Sequence, residues 1–209
     1  MVQSKAVATD APPAGPDTQR RMARLVTEVL APTPLAVVLL TAVAWRSAPT
    51  AATALLSGSV AVLFASVVPM WFVLRGVRRG SWENHHIPAR EHRQLPLLVG
   101  LGSVLAGLTL LAIGGAPREL LALIASMVAG LVVSLLVTTV WKMSIHAAVS
   151  AGTVVILALV FGPAGLLAAP LAVAVAWSRV ALRDHTVPQV LVGLVVGALV
   201  AGTSFSLLR

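Results

Sequence analysis

The chain has no cysteine, and only 11% of its 209 residues are charged. Without cysteine it can form neither disulfides nor thiolate metal sites. A soluble domain of this length would carry about 25% charged residues. The shortfall, together with 58% hydrophobic residues and a mean hydropathy of +0.95, excludes that class and indicates an integral membrane protein. Acids are scarcer still: seven Asp and Glu stand against fifteen Lys and Arg, giving a net charge of +8. In a membrane protein such an excess reports topology first, then anionic lipid or phosphate partners. The basic residues lie in short loops between apolar runs, which argues against nucleic acid as a partner.

What is abundant is apolar sequence in lengths that suit a bilayer. A spanning helix needs about 20 apolar residues. The candidates are Val29–Trp45, Ala51–Leu74, Leu95–Ile113, Leu120–Trp141, Ala147–Phe161, Leu166–Trp177 and Val187–Leu208. The fifth and sixth are short and flank "GPAG" at Gly162–Gly165, a turn signal that makes them a tight helical hairpin. The expected fold is an all-α, polytopic transmembrane helical bundle with six to seven spans. Residues 1–24, Ala- and Pro-rich at the start, read as a disordered tail rather than a signal peptide, and residues 25–209 as the transmembrane domain.

With seven crossings, the N-terminal tail and loops 75–94, 142–146 and 178–186 fall on one side. That side collects twelve of the fifteen Lys and Arg residues, leaving Arg46, Arg118 and Arg209 on the other. Cytoplasmic loops collect Lys and Arg, so the polar loops and the N-terminus are expected to face the cytoplasm of a multi-pass protein in the cell membrane. The tryptophans at span ends (Trp45, Trp71, Trp82, Trp141, Trp177) read as an aromatic belt. Gly193 and Gly197, spaced i, i+4, read as close helix packing.

The same parity gathers every histidine, His85, His86, His92, His146 and His185, on one side. His86, Arg90 and Arg93 share a helical face, as do Lys142 and His146, and Arg179 and Arg183. Ionisable groups at a membrane edge are costly and usually functional. Arg binds phosphate oxygens bidentately and Lys acts as a point charge, so the cluster suits a phosphate whose charge grows during transfer. No two of the seven acids form a DxxxD or DDxxD pair. A Mg²⁺ site of paired carboxylates is therefore disfavoured, and with it the Mg²⁺-dependent alcohol phosphotransferases and aspartate-rich prenyl transferases. The remaining route is a histidine nucleophile on phosphorus, with a second histidine protonating the leaving alcohol.

"SRVALRDHTVPQVLVG", from Ser178, resembles the third signature of the type 2 phosphatidic acid phosphatase (PAP2) superfamily. "KMSIH", Lys142 to His146, resembles a variant of its second signature. His86 to Arg93 has the interval of the first, with His in place of Lys and Gln94 in place of Pro. The resemblance covers roughly residues 75 to 200 and suggests a small prokaryotic branch. It implies a PAP2-like core in which His185 is the nucleophile and His146 the acid for the leaving group. Arg179 would act with them, and Arg93, Arg90, His86, Lys142, Ser144 and Ser178 would bind phosphate. No metal or cofactor is implied.

The departure is Gln189, where the family has Asp. An amide oxygen can orient the imidazole but adds no charge. Thr186-Val-Pro-Gln189 is also a capping box at the start of the last helix, so Gln189 either supports His185 or closes a helix end. Lys142 and Arg183, each taken alone, read as interfacial anchors. The first functional expectation is a metal-independent membrane phosphatase acting on a lipid phosphate or isoprenyl (di)phosphate through phosphohistidine. A second is a membrane terpene synthase that removes diphosphate and lets the carbocation rearrange. A third is a protein that binds a polyprenyl phosphate without turning it over.

Overall fold

The computed structural model describes residues 17–79 and 94–209, and all their regular structure is helical. Helices α1 (Asp17–Val29) and α2 (Pro32–Ser47) meet at a bend of 41°. Proline disfavours helix in the residue before it and has no N–H to continue one. Ala31, before Pro32, is accordingly extended. The first span expected at Val29–Trp45 is therefore split, and α2 begins only at Pro32. Residues 17–24, read from sequence as part of the tail, form the first turns of α1. Ala23 and Thr27 supply its buried face, and Thr27 Oγ1 donates to Ser178 Oγ at 3.0 Å.

Helices α3 (Ala51–Val62) and α4 (Val68–Arg78) form one continuous span through a π-helical turn, Leu63–Val67. The turn precedes Pro69, which has no N–H to give the Phe64 carbonyl five residues back. Ser103 Oγ, on α5 (Gln94–Ile113), donates to that carbonyl instead. Then follow α6 (Arg118–Val140), α7 (Ile145–Phe161), a 3₁₀ segment (Gly162–Ala168), α8 (Ala169–Ala181) and α9 (Val187–Leu208).

Among the described residues, five helical stretches are long and apolar enough to cross a membrane, or six with the bent α1–α2 pair. One of the five, Ile145–Ala181, has 37 residues and as a straight rod would extend about 55 Å. Its ends meet instead: Lys142 Nζ, just before it, donates to the carbonyl oxygen of Asp184, just after it, at 2.8 Å. The chain reverses at Gly162, whose φ of 72° suits glycine, and Gly165 packs on the backbone of Leu157 and Ala158. The "GPAG" turn thus makes the expected hairpin of α7 and α8.

Contacts sort the molecule into two ends. At one, Thr27 meets Ser178, Lys142 meets Asp184, and the Ser144 N–H donates to the Gln189 carbonyl at 3.2 Å. At the other, Arg118 Nε donates to the Leu208 carbonyl at 3.3 Å and Arg209 Nη1 to the Leu159 carbonyl at 2.8 Å. Helices α7 and α9 therefore run parallel, with α8 antiparallel to both. An apolar core from α2, α6, α7 and α9, including Leu40, Leu123, Ile156 and Phe205, lies towards the second end.

Candidate active site

The site begins with two glycines. A Cβ on Gly193 would lie 2.5 Å from the Ser144 carbonyl oxygen, and one on Gly197 would enter the Ala148 carbonyl. Only glycine allows α9 to come this close to α7, so their first turns lie side by side. Ser144 is the N-cap of α7, its Oγ accepting from the Ala147 N–H at 3.4 Å. His146 therefore stands in the first turn of α7. His185 stands one residue before Thr186, the N-cap of α9. Two helix N-termini, each carrying partial positive charge and unpaired N–H groups, face the same end, as an anion site requires.

The link from α8 to α9 has equally specific geometry. Arg183 takes a left-handed conformation, φ 60°. The Arg183 N–H donates to the Val180 carbonyl at 2.9 Å, and the Asp184 N–H to the Arg179 carbonyl at 3.1 Å. This is a Schellman closure with arginine where glycine is usual. The reversal carries the Asp184 carboxylate back to Arg179 Nη2, 2.9 Å away. It also brings the His185 N–H to the Arg179 carbonyl at 3.2 Å. Lys142, bonded to the Asp184 carbonyl, ties this turn to the α6–α7 linker.

Gln189 Oε1 accepts from the Thr186 backbone N–H at 3.1 Å and lies 3.2 Å from His185 Nδ1. A backbone N–H can only donate, so the Gln189 atom facing it is the oxygen. Nδ1 must then carry the proton, which puts the lone pair of the neutral imidazole on Nε2. The cap and the support of His185, alternatives in the sequence, are one arrangement here.

Arg179, His146 and His185 are only 3%, 9% and 6% exposed. All three line a single cavity of about 360 Å³. Arg179 spends one nitrogen on Asp184, while Nε and Nη1 are buried with no hydrogen-bond partner among the described residues. Buried donors of this kind cost stability unless a ligand satisfies them. An anion beside Arg179 would do so bidentately. Beyond these groups the cavity wall is mostly apolar, from Ala36 and Leu39 on α2 to Leu123 on α6 and Ile156 on α7, with hydroxyls only from Thr33, Ser126, Ser134 and Thr153 among the described residues.

Of the other residues singled out in the sequence, Ser178 sits elsewhere in function. Its hydroxyl donates to the Val175 carbonyl at 2.8 Å and accepts from Thr27, so it fastens α1 to α8. Arg183 is exposed at the turn. His86, Arg90 and Arg93 lie outside the described residues, as do His85 and His92. Sequence reasoning gave no role to Asp184, though it lies next to His185 and five residues from Arg179. Nor did it find Thr27, whose partner is 151 residues away.

Residues 141–209 match the model of the PAP2 superfamily. The match covers the second and third signatures and ends beyond them, while the first, His86–Arg93, lies outside it. No curated protein and no solved structure matches the chain. The match spans residues 141–209, about a third of the chain, so it is a likeness of the α7–α9 region to that superfamily.

Proposed function

We propose that the protein is an integral membrane phosphatase that takes a lipid phosphate or isoprenyl (di)phosphate through a phosphohistidine, without a metal. The observation that carries this reading is the cavity: two imidazoles and a buried, half-satisfied guanidinium share a space that is otherwise mostly apolar. Such a space suits a molecule with an anionic head and an apolar tail. Arg179 and the two helix N-termini hold the phosphate oxygens. His185 Nε2 attacks phosphorus as the bond to the leaving oxygen breaks, and protonated His146 gives that oxygen its proton. Water then attacks the phosphohistidine while His146 takes the water's proton, and phosphate leaves with His185 restored.

The positive-inside bias favours a cytoplasmic site in the plasma membrane. Purified protein in detergent should release phosphate from such a lipid without added Mg²⁺, leaving a linear alcohol or monophosphate. His185→Ala should reduce release to background. Unchanged turnover in that variant would remove the mechanism, and a cyclic or rearranged hydrocarbon as product would replace it with carbocation chemistry.

A further inference from the structure

Among the described residues four glycines line the cavity, and they are of two kinds. Gly152 and Gly197 are filled positions: a Cβ on Gly152 would meet Ala201 Cβ at 3.2 Å, and one on Gly197 would collide with Ala148. They exist so that α7 and α9 can touch. Gly100 on α5 and Gly130 on α6 are open positions, where an added Cβ meets nothing within 4 Å among the described residues. Nothing in the helix packing demands glycine there, and glycine within a helix costs about 1 kcal/mol relative to alanine. The two also share a level. Gly100 lies 13 residues before Ile113 and Gly130 lies 12 after Arg118, across the turn that joins the two helices. On α5 the lining runs from Pro96 to Val104, and on α6 from Ser134 to Leu123. Each glycine therefore stands partway between the polar mouth and the apolar floor.

Two measures give the space a size. On α7 the lining includes both His146 and Ile156, and the ten residues of helix from one to the other rise about 15 Å. An extended carbon chain with bonds of ~1.5 Å advances roughly 1.3 Å per carbon, so about twelve in-line carbons fit that depth. The volume of about 360 Å³ lies at the small end of ligand cavities, about 300–1,000 Å³. A cavity of that size suits one slender tail better than two long acyl chains.

We infer that the cavity selects phosphates carrying a single chain of about a dozen in-line carbons, and that Gly100 and Gly130 determine this length by keeping the middle of the cavity open. The inference rests on the phosphatase reading above. A three-isoprene diphosphate has that length, as does a simple dodecyl phosphate. Both share the chemistry of one slender tail and an anionic head.

The test is a substrate series on the full-length protein in detergent: two-, three- and four-isoprene diphosphates, dodecyl phosphate and dioleoyl phosphatidic acid. The three-isoprene compound should exceed phosphatidic acid at least tenfold in kcat/KM. Comparable turnover of dodecyl phosphate assigns the selection to length, and its failure assigns it to the methyl branches as well. In Gly130→Leu, and separately in Gly100→Leu, kcat/KM for the three-isoprene substrate should fall at least tenfold. That for the two-isoprene substrate should stay within about threefold. Gly102→Leu, equally open but outside the cavity lining, should keep the wild-type profile. An equal loss on all substrates, an unchanged profile, or phosphatidic acid as the best substrate would overturn the inference while leaving the phosphatase reading intact. Phosphate release from none of them would overturn both.

Discussion

The side-chain oxygen of Gln189 serves the Thr186 N–H and His185 Nδ1 at 3.1 and 3.2 Å, so helix start and imidazole are oriented together. A carboxylate at this position would keep both bonds, because Glu fills the same place in a capping box. In the proposed mechanism it would also add a negative charge beside the imidazolium character that grows on His185 as the phosphorus–nitrogen bond forms. Exchanging a carboxylate for an amide in a serine protease triad costs about 10⁴ in rate, largely through the wrong tautomer. Here the tautomer is already correct, so only the charge is lacking. Gln189→Glu should therefore raise kcat by about tenfold, while Gln189→Leu should lower kcat and also lose about 1 kcal/mol of stability with the cap. Phosphate release and thermal unfolding in detergent measure the two effects. A Glu variant no faster than wild type, with a Leu variant merely less stable, would reduce Gln189 to a helix cap.

In the proposed mechanism helices α7 and α9 carry the chemistry together; they are parallel and in contact, and this depends on Gly193 and Gly197. Gly197→Ala pushes a methyl group into the Ala148 carbonyl. Overpacking of this kind costs about 1–3 kcal/mol, and relief requires the two helices to part. The expected outcome is a lower Tm together with at least a tenfold loss of phosphate release. Gly102→Ala, whose Cβ meets nothing within 4 Å, should lower neither. Wild-type activity in the Gly197 variant would show that the close approach is dispensable. This pairing was legible in sequence as an i, i+4 glycine pattern, as were the "GPAG" reversal and the gathering of His146 and His185 at one end. The helix over residues 17–24 and the open face of Gly100 and Gly130 were not, and the break at Ala31, which Pro32 signals, was hidden by the apolar run around it. Hydropathy runs smoothly from Val29 into α2, across the break that Pro32 makes, and the packing of α1 on α8 through Thr27 and Ser178 gives α1 its own place. Whether a glycine faces a neighbour or a void depends on other helices, which spacing along one helix does not record.

Taken whole, the molecule has a polar end and a plain end. Arg75, Arg78 and Arg79 close α4 at the same end as Lys142, Arg179 and His185, while Arg46 and Arg118 stand at the other with the chain terminus. The reading of the cavity as a phosphate site and the reading of the charges as a topology signal make one joint demand: the head of the substrate must be met from the cytoplasmic leaflet. The lack of cysteine makes this directly measurable, since any introduced thiol is the only one in the chain. Pro49→Cys, exposed in the turn between α2 and α3, should react with a membrane-impermeant maleimide applied to intact cells. Arg79→Cys, exposed after α4, should react only once the cells are permeabilised, and both variants should retain phosphate release. The opposite pattern would turn the bundle over. It would place the two imidazoles on the outer face, where a diphosphate made in the cytoplasm would have to cross the bilayer before it could reach Arg179.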